Sequence, residues 1–217
     1  MNKLIMWGSV LVATTEAKLG FGACPDVTFM PNIDKEAMAG RWYTVMRDDS
    51  MNPMSAARCG VSEIHLNEGS DEIDMHASGY QPKPFTTHSG KSMKAGYQHF
   101  DALLHKCGES EGSTCMVHNA KWKNKEYPYT LLATDYENYN IYYFCYPFAY
   151  KTMNFQMLMV QSRTQQMPTG EVYEKIKQTV KDKVSFYDMD TYASFSPPLQ
   201  EDYCEYEWKW GTGQYLK

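Results

Sequence analysis

The six cysteines are the residues of this chain with the clearest chemistry. They are even in number and spread along the 217 residues. No Cys-x-x-Cys pair occurs, and no His stands at zinc-ligand spacing from two of them, so disulfides are favoured over a metal site. The cysteines therefore predict an oxidising compartment outside the cytosol, such as a lumen, an intermembrane space or the extracellular space. Sequence alone does not choose among their pairings, although Cys107 and Cys115 flank a Gly/Ser/Glu turn that suits a local bridge.

Other reactive side chains are dispersed. The six histidines fall on different sequence runs, and neither a Gly-x-Ser-x-Gly elbow nor a His-Glu-x-x-His pair is present. The carboxylates near Asp48 and Asp71 fall in loops or at strand ends, where a solvated role is expected. We therefore predict no catalytic residues and expect that the protein is not an enzyme.

Charge and composition restrict the partners. The formal net charge is -5, and no run of basic residues is longer than two, which argues against a nucleic-acid partner. The chain holds 17 Tyr, 9 Phe and 15 Met, and 43% of its residues are hydrophobic. Tyr and Phe favour half-buried strands, so the composition predicts a β-rich domain with a large apolar interior.

The elements that position these residues are mostly short strand-like runs separated by Gly, Pro, Asn, Asp and Ser. Nine such runs extend from Gly40–Asp48 to Asn154–Arg163, including one through Thr86–Ala95. A segment with Val172, Ile176, Val180 and Val184 spaced four apart follows Thr169, a candidate N-cap, and predicts one amphipathic helix. One further strand is expected at Ser185–Asp190. A closed up-and-down barrel suits this order, because closure removes exposed sheet edges.

The two ends of the chain have their own patterns. A single Lys and an apolar run from Leu4 to Ala13 predict a signal peptide over residues 1–17, or up to residue 23. Residues 205–217 form an aromatic C-terminal tail with Tyr206, Trp208 and Trp210. Such a tail is costly to expose, so a protein complex or a membrane surface is a candidate partner for it.

Three motifs then carry a family resemblance. Gly40-Arg41-Trp42-Tyr43 follows Asn32-Ile33-Asp34, Thr134-Asp135-Tyr136 follows a strand, and Arg163 ends the last barrel run. This set, in this order and with one helix after it, resembles the lipocalin family, and most closely the apolipoprotein D-like lipocalins. The resemblance covers roughly residues 24–204, which we take as a single lipocalin domain.

The resemblance implies an all-β fold: an eight-stranded antiparallel up-and-down β-barrel with one C-terminal α-helix packed outside. It also implies disulfides from Cys24 to Cys145 and from Cys59 to Cys204, leaving Cys107 and Cys115 as the local pair. In the family the motif Trp closes one end of the barrel and the motif Arg lies across it, so Trp42 and Arg163 are expected to make a cation–π contact. The residues expected to have these structural roles are Gly40, Trp42, Thr134, Asp135, Tyr136 and Arg163.

The lumen is where the resemblance places ligand binding. Because side chains alternate along a strand, an inward Arg163 and an inward Trp42 place other residues of their strands inward as well. The family's alignment, with Cys145 reaching outward to Cys24, supplies the rest of the lining. The predicted ligand-binding residues are Met46, Ile64, Tyr129, Leu131, Tyr142, Phe155, Met157 and Met159. Tyr129 or Tyr142 would hydrogen-bond a polar end of the ligand. In the alternative interpretation the same side chains simply fill the barrel.

Two functions follow from these interpretations. The first is a carrier or storage protein for a small hydrophobic ligand, such as a fatty acid, a sterol, a retinoid or a pigment, with no cofactor other than such a bound lipid or pigment. The alternative is an accessory or structural subunit of a larger, membrane-bound or soluble complex, with a filled lumen and the aromatic tail as its contact.

Overall fold

A computed structural model describes residues 19–47, 58–86, 92–109, 114–119, 125–185, 187, 189 and 200–206. The predicted signal peptide, except for the optional residues 19–23, and residues 207–217 of the predicted tail lie outside the described residues. The first half of the chain forms β1 (Leu19–Phe21), α1 (Lys35–Met38), β2 (Gly40–Arg47), β3 (Arg58–Leu66), β4 (Ile73–Gln81), β5 (Phe85–Thr86), β6 (Ser92–Met93) and β7 (Gly96–His105). The second half forms β8 (Cys115–Asn119), β9 (Lys125–Tyr129), β10 (Leu131–Thr134), β11 (Asn140–Phe148), β12 (Met153–Ser162) and α2 (Gly170–Lys183).

The main sheet curls into a nearly closed antiparallel barrel. Its strand order is β10-β11-β12-β2-β3-β4-β7-β8-β9, and β1 adds to β12. A single residue, Thr130, separates β9 from β10, so one length of chain pairs with β8 on one side and with β11 on the other. Thr130 is bonded to β11 itself, because its carbonyl accepts from the Tyr143 N–H at 3.4 Å. The all-β barrel prediction is confirmed, and the break at Thr130 makes nine strands of the expected eight.

A β-bulge in β2 reverses the direction of one predicted lining residue. Gln161 of β12 pairs with Thr44, whereas the preceding Val160 pairs with Met46, so Val45 is an extra residue in β2. Residues directly opposite each other in an antiparallel pair lie on the same face. Met46 therefore shares the outer face with Val160 and packs in the cluster beneath α2. The expectation that Met46 points into the lumen is wrong, because strict alternation from Trp42 does not hold across a bulge.

Helix α2 packs against the outside of the barrel, as predicted. Thr169 is its N-cap residue, although the Thr169 side chain makes no capping hydrogen bond. Ile176 and Val180 are fully buried, and the remaining stripe residues, Val172 and Val184, belong to the same cluster. The strand side of this cluster consists of the outward-facing Leu132, Tyr139, Ile141, Tyr143, Leu158 and Val160.

Two predicted strands differ from the structure. Within the predicted run Thr86–Ala95, a two-stranded ribbon pairs Phe85–Thr86 with Ser92–Met93, and the long barrel strand begins only at Gly96. In the predicted run Ser185–Asp190, the described residues Ser185, Tyr187 and Met189 are not in a strand. Tyr187 and Met189 are nevertheless buried in the outer cluster, so the apolar alternation there reflects packing and not sheet pairing.

Three disulfides join Cys24 with Cys145, Cys59 with Cys204, and Cys107 with Cys115, which are the pairs that the resemblance implied. Each long bridge ties a terminal segment to the barrel. The segment before Tyr206 also packs there, since the Gln200 side-chain amide donates to the carbonyls of Thr44 at 2.7 Å and Gly60 at 2.9 Å. Within the described ranges, no helix has both the length and the apolar character needed to cross a membrane.

Candidate functional site in the barrel

One end of the barrel is closed by α1, Trp42 and Arg163. Trp42 is fully buried, and its indole N–H donates to the Met38 carbonyl at 2.9 Å. The Arg163 guanidinium lies 3.7 Å from the centre of the Trp42 ring, which is the expected cation–π contact. Arg163 also donates to the carbonyls of Ala37, Ala39, Arg41 and Tyr136, at 2.6–3.2 Å. We call this end of the barrel the closed end.

Gly40 makes that close approach possible. Its φ is +97°, a conformation that a residue with a side chain rarely adopts, and a Cβ there would lie 3.2 Å from Arg163 Nη1. The first and third motifs therefore meet at one point in space, although more than a hundred residues of chain separate Gly40 from Arg163.

The second motif forms a tight turn at the same end. The Asp135 carboxylate accepts from the backbone N–H groups of Glu137, Asn138 and Tyr139, at 2.7–3.1 Å. Burial alone would raise the pKa of the Asp135 carboxyl, but these bonds and the Asn138 side chain hold that pKa below its usual value. Thr134 closes the turn by donating from its hydroxyl to the Tyr139 carbonyl at 2.8 Å.

Tyr136, the last residue of the second motif, anchors the loop before α1. Tyr136, with φ of +65°, accepts at its hydroxyl from the Asp34 backbone N–H at 3.0 Å. The second motif therefore has a structural role: its hydrogen bonds build the turn and anchor it at the closed end of the barrel.

Most of the predicted lining residues do lie on the inner face. Ile64, Tyr129, Leu131 and Tyr142 are buried in one inner cluster with Trp42, and Met159 packs against that cluster. Met157 is on the same face, since it lies two residues before Met159 and opposite Phe144. Phe155 pairs through its backbone with Tyr146 and Leu19, and its side chain lies outside what is described.

Tyr129 and Tyr142 form a hydrogen-bonded pair inside the barrel. Their rings meet edge to face with centroids 5.0 Å apart, and their hydroxyls are hydrogen-bonded to each other. Burial is the main cause that raises the pKa of both phenols, so both stay neutral at physiological pH. Their mutual bond uses the proton of only one hydroxyl, so the other hydroxyl keeps an O–H group that can donate to a ligand.

The inner wall changes in character from the closed end to the open end. Ile64, Ile73, Leu104 and Leu131, near the closed end, have no exposed surface. Nearer the open end, four large inner-face side chains retain intermediate exposure. They are Phe100, Phe144, Met157 and Met159. These four apolar side chains on the inner face are therefore not fully buried, in contrast to those near the closed end.

Sequence reasoning missed Asn140 on the inner face. Asn140 lies opposite Gln161 in the pairing of β11 with β12, and both side chains are at least 98% buried. Gln161 donates from Nε2 to the Ser62 hydroxyl at 2.9 Å. Counting back in steps of two from the inward Tyr142 would have found Asn140.

These features define the lipocalin fold: an antiparallel up-and-down barrel with a Trp–Arg closed end and one helix outside. Solved structures with this fold resemble the chain over most of its length. Insecticyanin from the tobacco hornworm Manduca sexta has a TM-score of 0.62 at 16% identity and covers 84% of this chain and 88% of its own. Lobster apocrustacyanin A1 has a TM-score of 0.58 at 16% identity, covering 86% of this chain and 94% of its own.

A third structure, H1 crustacyanin from the lobster Homarus americanus, has a TM-score of 0.56 at 16% identity over 87% of this chain and 93% of its own. At this level of identity the likeness establishes the fold. No protein-family model matches the sequence, and no curated protein sequence matches it either.

Proposed function

We propose that the protein binds a small hydrophobic molecule in the barrel lumen and carries or stores it. The observation that supports this function is the partial exposure of inward-facing Phe100, Phe144, Met157 and Met159. Burying such surfaces under a ligand is favourable by about 25 cal/mol per Å² of apolar area. The unbranched thioethers of the methionines would adapt to irregular ligand shapes. Binding and not catalysis is the proposed activity.

The setting of this activity is also part of the proposal. Three disulfides are consistent with an oxidising compartment outside the cytosol, and an N-terminal signal peptide would deliver the chain there. We also propose that residues 24–204 form a single domain and that the chain is an apolipoprotein D-like lipocalin. The pairing of Cys24 with Cys145 and of Cys59 with Cys204 supports that placement.

A titration tests the lumen directly. The oxidised full-length protein is titrated with N-phenyl-1-naphthylamine, a neutral dye that fluoresces in apolar surroundings. We expect saturable binding with one site per chain. Met157→Trp, which enlarges an inward side chain, should weaken dye binding about tenfold or more, equivalent to about 1.4 kcal/mol.

Tyr150→Trp is the matched control, because Tyr150 is fully exposed in the turn between β11 and β12. It adds the same indole outside the barrel and should leave the dye affinity unchanged. Absence of saturable binding, or equal affinities for wild type and Met157→Trp, would contradict the carrier function. Extraction that yields no lipid or pigment together with a co-purifying protein would support the accessory-subunit alternative.

A further inference from the structure

The closed end of the lumen holds two buried amide side chains, Asn140 and Gln161, which we call the amide pair. They are direct cross-strand neighbours on the inner face of β11 and β12. Asn140 has 0% of its surface exposed and Gln161 has 2%. The amide pair therefore lies beneath the apolar wall described above, at the deepest point of the barrel interior.

The hydrogen-bonding capacity of the amide pair is only partly used. Gln161 Nε2 donates to Ser62 Oγ at 2.9 Å and to Thr44 Oγ1 at 3.4 Å. Gln161 Oε1 accepts no hydrogen bond from the described residues, and neither Nδ2 nor Oδ1 of Asn140 has a partner among them. Buried side-chain polar atoms are paired in the large majority of cases, so three unpaired atoms on two adjacent residues require an explanation.

The unpaired atoms have a definite chemistry. Two of them, Asn140 Oδ1 and Gln161 Oε1, are acceptors, and one, Asn140 Nδ2, is a donor. A ligand group that both donates and accepts would satisfy them. A carboxylate only accepts, and it would place its charge against two carbonyl oxygens. The nearby Arg163 keeps its charge, but its guanidinium already donates to the backbone carbonyls of four residues, so few of its N–H groups are left to bind a carboxylate directly.

We propose that the amide pair is the recognition site for the uncharged polar end of the ligand, a hydroxyl or a primary amide, while the apolar body lies against the methionines and aromatics above it. This inference rests on the proposed function and narrows its ligands to long-chain or polycyclic alcohols and amides, excluding ionised fatty acids. Access passes Met159, which is partly exposed and whose Sδ lies 3.7 Å from Thr44 Oγ1. A flexible methionine can move aside to admit the polar end.

The experiment compares three probes with the same ten-carbon chain: decan-1-ol, 1-methoxydecane and decanoate. Each displaces N-phenyl-1-naphthylamine from the oxidised full-length protein at pH 7.5. The alcohol should bind about tenfold more tightly than the methyl ether, because only the alcohol donates to the free acceptors, and one net hydrogen bond is worth about that factor. Decanoate should bind about tenfold or more weakly than the alcohol, because its charge would be buried against acceptors.

Two variants test whether the amide pair causes the preference for the alcohol over the methyl ether. The double variant Asn140→Leu/Gln161→Met, which replaces both amides with apolar groups, should bind the alcohol and the ether within about threefold of each other. Gln178→Met removes an exposed amide that donates to Asp182 at 2.7 Å on α2 and should keep the wild-type preference. Circular dichroism checks that each variant is folded.

The outcomes separate this inference from the proposed function. Dye binding without any preference for the alcohol would overturn the inference and leave the carrier function intact. A preference that persists in the double variant Asn140→Leu/Gln161→Met would overturn it as well, by placing recognition outside the amide pair. If neither the dye nor any probe binds to the wild type, the carrier function fails and the inference fails with it.

Discussion

Asn140→Leu should make the protein more stable. The Asn140 amide is fully buried, and both of its polar atoms lack partners among the described residues. Each buried polar group without a partner costs about 1–3 kcal/mol relative to a paired one. Leucine has the same branching at Cγ and the same number of side-chain heavy atoms, so it removes this cost, although its two methyl groups are bulkier than the amide atoms. Allowing for some overpacking, we expect the free energy of unfolding to rise by about 1–3 kcal/mol.

A buried amide elsewhere in β12 gives the matched control. Gln156 is 3% exposed, and its side chain accepts from the Tyr143 hydroxyl at 3.0 Å and donates to Asn154 Oδ1 at 2.7 Å. Gln156→Met removes both of these hydrogen bonds and should lower the free energy of unfolding by about 2 kcal/mol or more. Both substitutions replace a buried amide with an apolar side chain, and the opposite signs are expected because only the Gln156 amide is hydrogen-bonded through both of its polar atoms.

Urea unfolding of the oxidised, ligand-free protein, followed by tryptophan fluorescence, measures both changes. For a chain of this length, a change of about 1 kcal/mol in the free energy of unfolding shifts the thermal midpoint by about 2–4 °C. In a thermal melt, Asn140→Leu should therefore raise the thermal midpoint by about 2–12 °C. A loss of stability in Asn140→Leu comparable to that in Gln156→Met would refute the reasoning. It would mean that the Asn140 amide is well paired and supports the fold, with no capacity left for a ligand.

Three further predictions concern the closed end and the tyrosine pair. Asp135→Ala should lower the free energy of unfolding by about 1–2 kcal/mol near pH 7. Because folding lowers the pKa of Asp135, that contribution is present above the unfolded-state pKa and is lost as the pH falls through the folded-state pKa. A urea series from pH 7 to pH 3 checks this, and a constant gap between wild type and variant would contradict it. Arg163→Lys loses the planar guanidinium that donates to four backbone carbonyls, so it should lower the free energy of unfolding by about 2–3 kcal/mol. The near-ultraviolet circular dichroism signal from Trp42 should change as well. An unchanged urea midpoint would exclude the anchoring role of Arg163. For Tyr142, folding raises the pKa, so its stabilising contribution is complete below about pH 10 and is lost as the pH rises through the folded-state pKa. The free energy of unfolding of Tyr142→Phe should therefore fall less steeply than that of the wild type as the pH rises above about 10. Parallel plots of the free energy of unfolding against pH for the two proteins would contradict this.

The fold was largely predictable because local signals agreed with each other. Turn residues between short apolar runs predicted strands, and the four-residue spacing of Val172, Ile176 and Val180 predicted α2. The closed end was predictable for a different reason: Gly40, Trp42 and Arg163 resemble a family pattern, and no local propensity brings residues so distant in sequence together. The resemblance supplied the long disulfides in the same way.

Two features of the site were not predicted from the sequence. The bulge at Val45 moves Met46 to the outer face, and no residue type in that stretch of β2 signals an extra residue. Asn140 was missed because polarity is normally taken to mark the solvent face of a strand. Asn140 breaks that rule, and such breaks are expected where function competes with stability.

The two long disulfides have a consequence for protease resistance. The covalent loops Cys24–Cys145 and Cys59–Cys204 overlap, and together they span every peptide bond from residue 24 to residue 204. A single cut anywhere in that interval leaves both fragments linked through sulfur. A protease that makes a single cut in this interval therefore cannot release a piece of the barrel until the bridges are reduced. Nicked molecules would keep the mass of the intact chain on a non-reducing gel, and the barrel could lose the continuity of its backbone without losing a fragment.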